Sequence, residues 1–232
     1  MVSHAAECES ITTMNISRRS ALSAMAALSL PAVADSRVPV LVELFTSEGC
    51  SSCPPADLLL SVLDEKQPIP GAEVIAVSEH VDYWNYIGWT DPFSSAVYSR
   101  RQQEYSRRLR LESVYTPQMV VDGGSQFVGS DERLATEAIT RAAHVPKIGI
   151  TLEREGDQLM IRAAIAFTAD TSVFVAFVLE HAVSKVARGE NRGRELRHVN
   201  VTSALVQAGL VQKGRTANLR SDVRRLSPTV KE

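Results

Sequence analysis

The sequence is short of cysteine, of long apolar runs and of charge of one sign. Only three of its 232 residues are cysteine, and no second cysteine pair or histidine pair at zinc-finger spacing occurs. No segment outside the N-terminal region is apolar enough to suggest a membrane span in the mature chain. A net charge of -2 gives no general attraction for nucleic acid. We therefore expect a globular protein with no nucleic-acid partner.

Two of the cysteines, Cys50 and Cys53, lie three positions apart where a predicted strand meets a predicted helix. The apolar run 38–45 precedes them, and Pro54 and Pro55 follow, as suits a first helical turn. Two thiols at this spacing can close a local disulfide. Unpaired N–H groups and the positive end of the helix dipole would favour thiolate over thiol at such a place. The pattern predicts the redox-active dithiol of a thioredoxin-like protein.

Residues 1–34 predict an export signal. A basic pair, Arg18 and Arg19, precedes a short alanine- and leucine-rich stretch that ends in small residues at Ala34. This order is typical of a cleaved signal peptide that starts at Met14, and the arginine pair resembles a twin-arginine signal. We therefore expect a periplasmic or secreted protein, in a compartment where disulfides persist.

The rest of the chain changes from mixed α/β periodicity to strand-like alternation near residue 146. Before this point, strands and amphipathic helices alternate; after it, a hairpin turns at residues 155–157 and a further strand follows. We predict an α/β fold in which a thioredoxin-like domain, a mixed sheet flanked by helices, is followed by a β-rich C-terminal extension. The predicted parts are the export signal over 1–34, the thioredoxin-like domain over 35–145, the extension over 146–212 and an irregular basic tail over 213–232.

A polar and aromatic cluster follows the second predicted strand. It comprises His80, Asp82, Tyr83, Trp84, Trp89 and Asp91. Open α/β sheets bind ligands at the carboxyl ends of their strands, where the dithiol is also expected, so this cluster is the predicted substrate surface. A histidine can tune a thiolate or shuttle a proton, or it can be a hydrogen-bonded structural residue. The two tryptophans can equally pack the extension onto the core.

Thr116 and Pro117 stand directly before a short apolar strand. Thioredoxin-like folds place a cis-proline facing the dithiol at this point of the chain order, and cis peptide bonds are nearly confined to proline. We therefore assign Pro117 to the catalytic set with Cys50 and Cys53, and Thr116 to the substrate surface.

Several segments resemble a secreted bacterial thioredoxin-like family of unknown function. They are Phe45–Asp57, His80–Trp84, Gly88–Phe93, Tyr115–Gln118 and Gly189–Asn191. The resemblance covers about Pro39 to Leu210 and implies a thioredoxin-like domain, a β-rich extension and a thiol-based activity. Such proteins usually close with further apolar strands, whereas the tail here is basic and patternless. Asn191 and His198 can either reach the rim of the dithiol from the extension or lie in a solvated loop, and we expect the solvated loop.

Three interpretations of the dithiol remain open. A redox pair would exchange electrons with an unknown protein or small-thiol partner and needs no cofactor and no resident metal. A permanently oxidised pair would be a structural clip in a non-catalytic binding module. Two thiolates would also suit copper(I), with Met119 and His80 as the nearby candidate ligands.

Overall fold

The computed structural model describes residues 37–224, so the predicted export signal lies outside the described residues. The helices are α1 (Pro54–Lys66), α2 (Ala96–Leu109) and α3 (Glu132–Ala143), with a short 3-10 helix at Asn85–Ile87. The strands are β1 (Val38–Thr46), β2 (Ala72–His80), β3 (Gln118–Val121), β4 (Ser125–Val128), β5 (Ile150–Glu155), β6 (Gln158–Ala163), β7 (Thr171–Lys185), β8 (Glu195–Val211) and β9 (Ala217–Asp222). No helix between residues 37 and 224 is long and apolar enough to cross a membrane.

Six strands form a mixed central sheet in the order β4–β3–β1–β2–β8–β7. Strands β1 and β2 run parallel from the pair Val38–Ala72 to the pair Thr46–His80, and α1 is the crossover between them. Strands β3 and β4 add to the other side of β1 in antiparallel pairing. This confirms the expected mixed α/β class.

The main core lies between the central sheet and helices α1 and α3. Val42 and Leu44 of β1 are fully buried, and they share one apolar cluster with Leu60 of α1 and Ile139 of α3. Burial of each such side chain contributes about 1.5–3 kcal/mol. Because β1 is buried along most of its length, it holds the start of the loop between β1 and α1 in a fixed position.

The C-terminal strands are divided between two sheets. β8 joins the central sheet through a short parallel pairing with β2 at Ser78–Val201, and β7 pairs with β8 at the sheet edge. β5, β6 and β9 form a separate three-stranded sheet. The long strand β8 therefore brings residues from the end of the chain to the carboxyl end of β2.

The expectation of an irregular tail is wrong for residues 217–222. They form β9, which pairs antiparallel with β6 along its whole length. Ala217 and Ser221 are buried while Asn218 and Arg220 are more exposed, so a short alternation is present. Its buried residues are small, and the pattern therefore has little apolar signal without the partner strand.

Candidate functional site

The two cysteines form a disulfide at the junction of β1 and α1. Cys53 is the N-cap residue of α1, Pro54 is the first helical residue, and the Cα atoms of the two cysteines are 5.4 Å apart. Cys50 is 1% exposed and Cys53 is fully buried, whereas Ser51 and Ser52 between them are exposed. The hydroxyl of Ser52 lies 3.3 Å from the Cys50 sulfur. A partner must therefore approach the disulfide past the serine pair.

Glu48, two residues before Cys50, is fully buried and bonds to several segments at once. Its Oε2 accepts hydrogen bonds from Trp89 Nε1 at 2.7 Å and from Ser184 Oγ at 3.1 Å. Its other carboxylate oxygen lies 3.3 Å from Nε2 of His198 on β8. A buried carboxylate needs such partners, because its desolvation otherwise costs several kcal/mol. Glu48 thus fixes the connection between β1 and α1, residues 47–53, which we refer to as the dithiol loop, to β7, β8 and the β2–α2 loop.

His198 is a buried cation next to this carboxylate. Its Nδ1 lies 3.8 Å from Oδ1 of Asp57, which is one helical turn beyond Cys53 on α1. Burial lowers the pKa of His198, but the interactions with Asp57 and Glu48 outweigh burial and raise it to about 9. His198 is therefore protonated at neutral pH, between two buried acids that flank the dithiol in sequence.

His80 and Asp91 form a second buried pair beside the first. Nδ1 of His80 lies 2.7 Å from Oδ2 of Asp91, and the same oxygen accepts the backbone N–H of Glu48 at 2.8 Å. Burial raises the pKa of Asp91, but His80 and these hydrogen bonds prevail and hold it below its usual value. The His80 and His198 rings meet edge to face with centroids 4.7 Å apart. Nε2 of His80 is buried and has no hydrogen-bond partner among residues 37–224.

The connection between β7 and β8, residues 186–194, lies against the dithiol loop, and we refer to it as the strap. Nδ2 of Asn191 donates to the carbonyl oxygens of Glu48 and Cys50 at 2.8 and 3.0 Å. The Ser51 N–H donates to Oε2 of the exposed Glu190 at 3.0 Å, and hydrogen bonds from Ser51 hold the pKa of Glu190 below its usual value. The strap therefore closes one side of the disulfide.

Trp84 connects the dithiol loop to the predicted proline. A side chain at Gly49 would come within 3.0 Å of Cβ of Trp84, so the tryptophan lies directly against the loop. Nε1 of Trp84 donates to Oγ1 of Thr116 at 2.7 Å. The Thr116–Pro117 peptide bond is cis, as the sequence predicts, and Pro117 is buried.

The structure divides the predicted substrate cluster into two groups. Trp84 and Trp89 contact the dithiol loop, and His80 is connected to it through Asp91. Asp82 and Tyr83 instead bond to α2, through Ser99 at 2.5 Å and Gln102 at 3.0 Å respectively. Their side chains hold α2 against the sheet.

Sequence reasoning missed several residues of this site. Asn191 and His198, expected in a solvated loop, are 1% and 4% exposed. Asn191 belongs to the matching segment Gly189–Asn191, which was the available signal, whereas nothing local in β8 marks His198. Glu48 lies within the matching segment Phe45–Asp57, and Asp57 is the last residue of that segment. Met119, the other candidate copper ligand, packs in the main core. Within residues 37–224 no group of three or more His, Cys, Asp or Glu side chains could hold a metal ion.

The fold and site define a mixed α/β protein with a buried disulfide at a strand-to-helix junction. The model of a family described as "Protein of unknown function (DUF1223)" matches residues 41–230. The match spans most of the sequence, and the chain belongs to this family. It is also similar to a protein from Agrobacterium tumefaciens known from an X-ray crystal structure, with 29% identity and a TM-score of 0.67 over 82% of this chain and 80% of that chain. No curated protein matches the sequence.

Proposed function

We propose that the protein is an exported thiol–disulfide oxidoreductase of thioredoxin-like fold that works through Cys50 and Cys53. The observation that carries the proposal is the position of the disulfide, at the carboxyl end of β1 and the N-terminus of α1. The strand order β4–β3–β1–β2, with β3 antiparallel, supports a thioredoxin-like domain over residues 35–145. The β-rich extension over 146–212 then supplies the strap and His198.

The proposed reaction is a thiol–disulfide exchange in which bonds form and break only between sulfur atoms. A partner thiolate attacks the Cys50 sulfur, the Cys50–Cys53 bond breaks, and Cys53 leaves as a thiolate that takes up a proton. A second partner thiolate then attacks the partner sulfur of the mixed disulfide and releases Cys50. Two electrons pass to the protein, and the partner leaves as a disulfide. Trp84, Thr116 and Pro117 would form the surface against which the partner lies.

The burial of both sulfurs favours a second candidate, a structural clip in a binding module. A disulfide that no partner can reach persists in an oxidising compartment. The copper(I) alternative has less support, because Met119 packs in the core. Metal analysis of the reduced protein tests it directly.

Single-cysteine variants separate the redox pair from the clip. In Cys53→Ser, the free Cys50 should accumulate a mixed disulfide when the protein is exposed to an oxidised small thiol, because the resolving sulfur is missing. In the matched variant Cys50→Ser, the fully buried Cys53 at the N-cap of α1 should react about tenfold more slowly, because an attacking thiol needs access as well as thiolate character. Mass spectrometry of the intact protein measures both. Equal reaction at both cysteines, or none at Cys50, would contradict the proposal.

Export is tested by the N-terminus of the mature protein. Cleavage after Ala34 gives a chain that begins at Asp35 in the periplasmic or extracellular fraction. A full-length chain retained in the cytoplasm would contradict export and would leave the dithiol in a reducing compartment.

A further inference from the structure

The strap and its flanks carry a local excess of positive charge. Between residues 185 and 197 the sequence has five cationic and two acidic residues, in a chain whose net charge is -2. The four cations nearest Glu190 and Asn191 are Lys185, Arg188, Arg192 and Arg194, and all four are exposed. We refer to these four as the basic rim.

The basic rim lies beside the disulfide because the strap is fixed there. The backbone bonds Val186 N–H to Arg194 O and Gly193 N–H to Val186 O close the strap at 3.0 and 2.8 Å. Asn191 holds it on the dithiol loop, and a side chain at Gly189 would come within 3.3 Å of Cβ of Trp89. The rim cations therefore lie within a few residues of the contacts at Cys50 and Ser51.

The basic rim is not neutralised within the described residues. None of its four side chains makes an ion pair within residues 37–224, whereas Arg197 pairs with Glu195 at 2.6 Å. The nearby acids are already engaged: Glu48, Asp57 and Asp91 are buried with the two histidines. The fourth, Glu190, is exposed and binds the N–H of Ser51. The Glu190 carboxylate thus lies next to the disulfide, on the same segment as the cations of the basic rim.

We propose that the basic rim recognises a small thiol that carries a carboxylate, and that this carboxylate replaces Glu190 at the Ser51 N–H while the thiolate attacks Cys50. This inference rests on the proposed function and names its substrate class. The step is the exchange described above, in which two molecules of the anionic thiol supply one electron each and leave joined as a disulfide. A local group of exposed cations raises the concentration of an anion nearby, and added salt screens this attraction, with a Debye length of about 8 Å at physiological ionic strength.

A small thiol fits the site better than an acidic protein does. Cys50 is 1% exposed and Cys53 is fully buried, so the approach to sulfur is narrow. The Ser51 N–H, where the carboxylate would bind, is next to Cys50 in sequence. One small molecule that carries both a carboxylate and a thiol can therefore reach both positions. An acidic protein would bring its charges to the rim but would need a larger displacement of the strap to bring its sulfur to Cys50.

The test is the rate of reduction of the disulfide by three small thiols of different charge. These are 3-mercaptopropionate, 2-mercaptoethanol and cysteamine, which are anionic, neutral and cationic, with each rate corrected for its thiolate fraction. The wild type should favour the anionic over the neutral thiol by about fivefold or more at low salt, and less at 0.5 M salt. In Arg188→Glu/Arg192→Glu this ratio should fall to one or below. The matched variant Arg100→Glu/Arg107→Glu on α2 has the same change in net charge and should keep the wild-type ratio.

Each outcome decides the inference. A ratio near one in the wild type, or an equal fall in both double variants, would contradict recognition by the basic rim while leaving the thiol chemistry of the dithiol intact. No reduction by any thiol would contradict the proposed function, and with it this inference. A rim that binds an acidic protein instead would show no preference among small thiols, and an anionic protein thiol would then react faster than all three.

Discussion

Two groups of charged and polar side chains, most of them buried, lie near the central strands, and they connect different elements of the fold. The helix cluster comprises Glu43, Glu79, Arg101 and Tyr105. The dithiol cluster comprises Glu48, Asp57, His80, Asp91 and His198. The first joins α2 to β1 and β2. The second joins the dithiol loop and α1 to the β2–α2 loop and β8.

In the helix cluster one cation serves two carboxylates. Nε of Arg101 lies 2.6 Å from Glu43 and 3.3 Å from Glu79, and Tyr105 donates to Glu43 at 2.5 Å. Burial and the charge of Glu43 raise the pKa of Glu79 well above its usual value, although Arg101 opposes them. These contacts account for a structural role, since they fasten a helix to a sheet.

In the dithiol cluster the cation comes from the far end of the chain. His198 is 150 residues from Glu48, and Glu48 is two residues from Cys50. A change in this cluster therefore acts on the dithiol as well as on the fold. Both clusters bury charge, but only the dithiol cluster contacts the segment that carries Cys50 and Cys53.

The largest expected effect is that of His198→Leu. The variant leaves Glu48 and Asp57 buried without their cation, which should lower the free energy of unfolding by about 3–5 kcal/mol at pH 6. His181→Leu, at an exposed position of β7, is the matched control and should change it little. Urea unfolding measures both. Equal free energies of unfolding for His198→Leu and wild type would show that the charge contacts of His198 do not stabilise the fold.

The loss of stability in His198→Leu should depend on pH in a defined direction. The folded-state pKa of His198 is about 9 against an ordinary 6.5, so its contribution is fully present below pH 6.5 and is lost as pH rises through 9. The deficit of His198→Leu relative to wild type should therefore shrink by about 3 kcal/mol between these values. A deficit that is constant with pH would contradict a charged His198.

A smaller effect, with the opposite pH slope, is expected for Arg101→Met. Two buried carboxylates lose their cation, and the free energy of unfolding should fall by about 2–3 kcal/mol at neutral pH. Because burial already raises the pKa of Glu79, its ionised form costs stability above about pH 4.5, and the deficit should grow as pH rises. The reduction potential of the dithiol should not change, whereas His198→Leu should shift it. A shift in both variants would end the distinction between the clusters.

The sequence predicts the local parts of this site better than its distant parts. The strand–dithiol–helix junction, β2 and the β5–β6 hairpin follow from periodicity and from proline and glycine positions within short windows. The contacts of Ser184 and His198 with Glu48 depend instead on the pairing of β8 with β2 across more than a hundred residues. Chain position alone predicts Asp82 and Tyr83 at the substrate surface, but it does not fix the direction of a side chain, and both side chains bond to α2.

The smallest expected effect concerns Ser52. Its hydroxyl lies 3.3 Å from the Cys50 sulfur and can donate to the thiolate once the disulfide is reduced. One hydrogen bond contributes about 1 kcal/mol, so Ser52→Ala should slow alkylation of Cys50 at neutral pH by about fivefold. Ser51→Ala is the matched control and should leave the rate near that of wild type. Faster alkylation of Cys53 than of Cys50 in the wild type would refute Cys50 as the attacking thiol.

The proposed function requires that the disulfide between Cys50 and Cys53 turns over, and its reduction potential tests this most directly. Structural disulfides of secreted proteins typically lie below about -300 mV, and labile catalytic ones lie above. Equilibration of the protein with glutathione redox buffers should give a value above this limit. Reduction should cost little thermal stability, because the closed loop is very short. A potential well below -300 mV, with unfolding on reduction, would contradict the account and identify the pair as a structural clip.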